Sequence, residues 1–196
     1  MATNTIETPT AEPAVVAVAN PAPLGLCAFA LTTFVLSCAN AKLYSGDQIV
    51  LGLALFYGGL AQLCAGMWEF KTGNTFGATA FSSYGAFWMA FAATVQFKLV
   101  ANTEALGFFL LAWTIFTFIM FLASFKTSGA VIVLFGFLTL TFLALAIGAF
   151  MPAPNNFGMY GGYLGIITAL IAWYTALAGL LTATKSSFQL PIGPRS

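Results

Sequence analysis

The sequence predicts an all-α integral membrane protein, and three observations carry that prediction. Hydrophobic residues fill 60% of the 196 positions, charged residues only 6%, and the mean hydropathy is +0.95. A soluble domain carries about a quarter charged residues, so water is not the solvent for most of this surface. The apolar residues also gather into six stretches near the length, about 20 residues, that spans a hydrocarbon core about 30 Å thick as a helix. A net charge of +1 and the lack of histidine argue against a nucleic-acid partner and against imidazole chemistry. Cys27, Cys38 and Cys64 lie within or beside apolar runs with no CxxC pair, which reads as packing rather than metal binding. No cofactor is implied, and no nucleophile and base pair suggests an enzyme.

Residues 1–19 hold Glu7 and Glu12 but no Lys or Arg, and are expected to be a disordered tail without a cleavable signal. The transmembrane domain is expected over residues 20–185, followed by a short polar tail, 186–196. Pro21 and Pro23 bias the backbone before them toward extension, and Pro23 suits a first helical turn. The first span is expected from about Leu24 to Asn40, with Asn20 outside it as a cap or as a polar contact near the positive helix end. The second runs from about Gln48 to Phe70 behind an Asp47 cap, and the third from about Phe76 to Phe97 behind Asn74 or Thr75. A fourth is expected from Glu104 to Phe125 with Thr103 as its cap. The fifth follows Lys126-Thr127-Ser128 and ends near Phe150, where Met151-Pro152-Ala153-Pro154 stops it; the sixth covers about Gly158 to Thr184.

An even number of spans puts both termini on one side. Lys71, Lys126, Lys185 and Arg195 fall there, against Lys42 and Lys98 opposite, which predicts cytoplasmic termini in a plasma or inner membrane. Leu24-Gly25 recurs as Leu106-Gly107, and Asn74-Thr75-Phe76-Gly77 as Asn155-Asn156-Phe157-Gly158. Two readings fit: an inverted repeat of three helices plus three, or chance recurrence in an alphabet rich in Leu, Phe, Gly and Thr.

Several helix faces are candidates for chemistry. The sixth span carries a small-residue seam from Gly158 through Gly162, Gly165, Ala169, Ala172 and Ala176 to Gly179, suited to close helix packing within or between protomers. On the second span Gln62 and Glu69 share a face, and Glu69 either belongs to a solute pathway or pairs with Lys71 at the interface. The third span offers Thr79, Ser83, Tyr84 and Trp88, and the first offers Phe29 and Thr32; each fits a polar pathway and equally fits ordinary helix packing. No Lys, Arg or His falls inside any span, so the solute is expected to be small and weakly charged, or neutral in transit.

Three stretches resemble the acetate uptake transporters of the succinate-acetate permease type: Asn20-Pro21-Ala22-Pro23-Leu24-Gly25-Leu26, Phe56-Tyr57-Gly58-Gly59-Leu60-Ala61-Gln62, and the run from Gly73 to Gly85. The run from Leu143 to Gly148 and the closing Leu190-Pro191-Ile192-Gly193 are similar too. The resemblance implies six helices per protomer, a homohexamer, and passage of acetate, succinate and related short carboxylates, with protons as a coupled partner in some members. It also implies a constriction of Phe29, Tyr84 and Leu138, the last on a looser alignment. Asn20, Thr32, Gln62, Glu69, Asn74, Thr79, Ser83 and Trp88 are the candidate substrate-binding residues. Gly73 stands where some fungal relatives have an acid, so that acid's role does not transfer. An ammonium or other small-solute channel, and a non-transporting membrane sensor or scaffold, remain the alternatives.

Overall fold

The computed structural model describes residues 18–46 and 48–193; residues 1–17 of the tail expected over 1–19, the Asp47 cap and Arg195 lie outside the described residues. The described chain is helical without strands and forms six rods. They are α1 (Ala22–Asn40), α2 (Ile49–Lys71), α3 (Thr75–Gln96), α4 (Thr103–Ala123, extended by a 3₁₀ turn over Ser124–Lys126), α5 (Gly129–Phe150) and α6 (Phe157–Ala183). Five of these, all but α3, are long and apolar enough to cross a membrane. Thr, Ser, Gly and Gln dilute the apolar content of α3 below that level.

The boundaries fall within two residues of those expected, and the differences lie in the caps. Asn102, not Thr103, caps α4, its Oδ1 accepting from Ala105 N at 2.8 Å. Asparagine accepts this bond in the geometry that a free N-H of the first turn needs. Asn74 caps α3 by accepting from Gly77 N at 3.0 Å, and Ser128 caps α5 through Val131 N. The described end of the C-terminal segment docks on α5: Gly193 O and Ile192 O accept from Gly129 N and Ala130 N at 2.7 and 3.1 Å. Tyr174 OH donates to Pro191 O at 2.6 Å and holds the same segment.

A π-helical stretch, Phe56–Ala61, interrupts α2. Such a segment adds one residue to a turn and often marks a functional site. Here Ala54, Gly58, Gln62, Ala65 and Glu69 are all buried along one side of the rod.

The interior holds polar side chains beside its aromatic core of Phe29, Tyr84, Phe87, Trp88, Phe135 and Phe142. Among its largest fully buried side chains are Gln62, Glu69, Thr32, Thr117 and Thr168, while Phe108, Ile115, Phe118 and Ile119 of α4 face outward. In lipid no hydrophobic drive separates core from surface, so small and polar groups that pack or bond across helices are kept inside.

Helix α1 is held on three sides by close approach. A Cβ on Gly25 would lie 2.7 Å from the Phe81 ring of α3, and one on Gly58 of α2 would lie 2.7 Å from Thr32 Cβ. The α6 seam faces α1 within the chain: a Cβ on Gly162 would strike the Asn40–Ala41 backbone, one on Gly165 would strike Ser37, and one on Gly179 would lie 3.1 Å from Pro23. Gly158, at the start of the seam, has open space. Gly162→Ala is therefore expected to cost about 1–3 kcal/mol through overpacking, and Gly158→Ala to stay within about 0.5 kcal/mol. Apparent unfolding temperatures of the detergent-solubilised variants check this, and equal effects would remove the close-approach assignment.

Candidate functional site

The helices α1, α3 and α5 begin at the same end of the bundle, and their first turns frame a cavity of about 260 Å³. Asn20 and Ala22 line it from α1, Asn74 and Gly77 from α3, and Thr127 and Ser128 from α5. Each helix N-terminus carries roughly half a positive charge from its aligned peptide dipoles. Three such ends meet here on a lining that contains no charged side chain.

The cavity descends past Gln62 to Phe29, Tyr84 and Leu138. These three also line a second cavity of about 30 Å³ on their far side, together with Thr33, Ser37, Asn40 and Trp88. They stand seven to nine residues in from the starts of α1, α3 and α5. At about 1.5 Å per residue that depth is about 11–14 Å, near the middle of a bilayer core. The smaller space has room for about two water molecules. Phe29, Tyr84 and Leu138 thus form the wall between a wide chamber on the side where α1 begins and a narrow one toward its end.

The wall is stiff. The Tyr84 ring lies 5.8 Å from Phe29, 5.5 Å from Phe116, 6.0 Å from Trp113 and 6.2 Å from Phe135, centroid to centroid. Its hydroxyl shares a hydrogen bond of 2.9 Å with Thr117 of α4. Helix α4 lines neither chamber, yet Thr117, Trp113 and Phe116 fix the ring that does.

The structure sorts the candidates drawn from the sequence. Asn20, Gln62 and Asn74 line the wide chamber and Trp88 the narrow one. Thr32 lines neither, because its hydroxyl donates to Ala28 O at 2.9 Å and the side chain packs against Gly58. Thr79 and Ser83 are half-buried and also line neither. Glu69 is buried behind the chamber, not paired with Lys71: its Oε2 accepts from Asn74 Nδ2 at 2.8 Å and from Thr72 Oγ1 at 3.2 Å. Thr117, Ser128 and Ile192 were not drawn from the sequence. The spacing of Thr117 on α4 resembles that of any threonine that packs a membrane helix, so only the third dimension brings it to Tyr84.

Polar atoms without a protein partner mark both chambers: Gln62 Nε2 and Oε1 on the wide side, Thr33 Oγ1 and Trp88 Nε1 on the narrow side. An unpaired buried polar atom costs about 1–3 kcal/mol.

A bundle of long apolar helices around an uncharged chamber closed by an aromatic wall is that of an integral membrane protein. The chain belongs to the GPR1/FUN34/yaaH family, whose model matches residues 3–194. It is 47% identical to Acetate permease A of Emericella nidulans over 89% of this chain and 65% of the relative. It is 45% identical to Ammonia transport outward protein 2 of Saccharomyces cerevisiae over 86% of this chain and 64% of the relative. The chain thus spans slightly under two thirds of the length of these fungal relatives. Against the Succinate-acetate/proton symporter SatP of Escherichia coli it is 39% identical over 89% of this chain and 95% of the relative. A solved structure of the bacterial acetate channel SatP superposes with a TM-score of 0.84 at 39% identity, covering 90% of this chain and all of that one.

Thr117→Val leaves the Tyr84 hydroxyl buried without its partner and is expected to cost about 1–3 kcal/mol, whereas Tyr84→Phe combined with Thr117→Val is expected to be nearly neutral. Apparent unfolding temperatures of the single and double variants test the pair, and strictly additive losses would exclude the coupling.

Proposed function

We propose that this protein carries acetate and related short carboxylates across a cell membrane, along the passage from the wide chamber through the Phe29, Tyr84 and Leu138 wall. The observation that carries the reading is the convergence of three helix N-termini on a lining without side-chain charge. The positive ends attract a carboxylate without binding it as tightly as a fixed Arg or Lys, and Asn20, Asn74 and Ser128 offer hydrogen bonds to its oxygens. Apolar side chains of the wall suit the short alkyl end of the solute. Lys71 and Lys126, exposed just before α3 and α5, add a positive rim at this end. A simple carboxylic acid titrating near ~4 to 5, as side-chain carboxyls do, is neutral in under about one per cent of molecules at pH 7. Capture of the anion at the mouth is therefore the efficient route.

In this reading α3 also crosses the bilayer, making six spans, because Tyr84 and Trp88 are buried and Ser82 lies against Gly66 of α2. The excess of lysines at the mouth supports cytoplasmic termini and a cytoplasmic mouth. Asparagine side chains bonded to backbone N-H groups at the starts of both α3 and α6 support two inverted halves. The homohexamer and the inclusion of succinate rest on the family resemblance. The relative named for ammonia transport favours a second reading, passage of neutral ammonia along the same path. The positive mouth disfavours ammonium itself.

Purified protein in sealed vesicles is expected to take up radiolabelled acetate saturably, with propionate competing and ammonium not. Vesicles as inert as protein-free ones would overturn the reading, and competition by ammonium would favour the rival. Phe29→Ala and Tyr84→Ala are expected to raise the rate for butyrate relative to acetate; an unchanged ratio in both would remove the selectivity role of the wall.

A further inference from the structure

Glu69 is the one buried carboxyl among the described residues, with 1% of its surface exposed. It occupies the last turn of α2, at the same end of the bundle as the chamber mouth. Oε2 is held by the neutral donors Asn74 Nδ2 and Thr72 Oγ1, while Oε1 has no protein partner. The carboxyl lies directly on the first turn of α3: a Cβ on Gly77 would sit 2.8 Å from Glu69 Cδ. Asn74 bridges the two, giving its amide N-H to Glu69, accepting from Gly77 N through Oδ1, and lining the chamber.

The neighbouring elements leave this carboxyl without a countercharge. Helix α3 carries Tyr84 as its only titratable side chain, α1 carries Cys27 and Cys38, and α2 carries Tyr57, Cys64 and Lys71. Lys71, and Lys126 at the end of the 3₁₀ turn, are exposed. An ionised Glu69 and a carboxylate at the mouth would therefore share one positive helix end with a single amide between them. Like charges so placed favour protonation of one of them.

We propose that Glu69 is the proton-coupling carboxyl of this transporter, accepting a proton from water when a carboxylate anion occupies the mouth and returning it when the anion leaves. The inference rests on the acetate reading above. The proton passes between solvent at the exposed Thr72 and a Glu69 oxygen, and the anion keeps its own charge. Linkage makes the effect reciprocal: a bound anion raises the proton affinity of Glu69, and a protonated Glu69 raises the affinity for the anion.

Acetate binding to the purified full chain near neutral pH, measured by titration calorimetry in buffers of different ionisation enthalpy, counts the protons taken up per acetate. Wild type is expected to take up protons, and its acetate affinity to fall about fivefold, a typical coupling factor, as pH rises through the titration of Glu69. Glu69→Gln is expected to bind acetate with no proton uptake and no pH dependence. Glu69→Asp, which keeps the carboxyl on a shorter stem, is expected to retain uptake with a displaced pH midpoint. Acetate binding by wild type without proton uptake overturns the proposal. So does uptake that persists in Glu69→Gln, since the proton would then ride on the acetate, and so does an unmoved midpoint in Glu69→Asp. Failure of wild type to bind acetate at all would instead fall on the transport reading itself.

Discussion

Close contact between α1 and three neighbours is the constraint from which the rest of the structure follows. Gly25 admits the Phe81 ring, Gly58 admits Thr32, and Gly162 and Gly165 admit the end of α1. Backbones pressed together in this way gain dispersion where lipid supplies no hydrophobic drive. The contacts also fix α1 along its length, so that Asn20 stands beside the start of α3 while Phe29 stands beside Tyr84. A rod free to slide by one turn would displace its side chains by about 5.4 Å and separate the mouth from the wall.

The electrostatic design separates attraction from fixed charge. A charged side chain at mid-membrane costs about 2.5 to 3.5 kcal/mol on insertion scales and would hold an oppositely charged solute. Helix ends attract an anion with partial charges that the backbone supplies at each first turn. The caps on α3 and α5 and the docked Ile192–Gly193 segment satisfy N-H groups there without adding a negative charge. Glu69 is the exception: a full carboxyl withdrawn behind Asn74, close enough to share its hydrogen bond and outside the chamber lining.

Much of this was legible in the chain. The six expected stretches appear as helices with ends within two residues of expectation, five of them long and apolar enough to span, because turn chemistry and span length are local properties. Asn20, Gln62 and Asn74, and Phe29, Tyr84 and Leu138 carried over from the family resemblance, all line one chamber. Thr32, Thr79 and Ser83 looked equivalent to them and do not, since a hydroxyl on a membrane helix can turn back to its own carbonyl, as Thr32 does to Ala28. The π segment in α2 carried no readable signal beyond Gly58-Gly59. The grip of Thr117 on Tyr84 spans 33 residues, which no local pattern encodes.

The sequence by itself determined that this chain belongs in a bilayer, where its helices start and stop, and that basic side chains stay at or beyond the ends of the spans, because these depend on composition and on neighbours a few residues apart. Tertiary structure alone decided that the α6 seam packs on α1, that three helix starts meet at one mouth, and that Glu69 turns toward Asn74 and not Lys71. Those outcomes depend on which faces meet across tens of residues of chain, and packing in three dimensions chooses among partners that periodicity leaves equal.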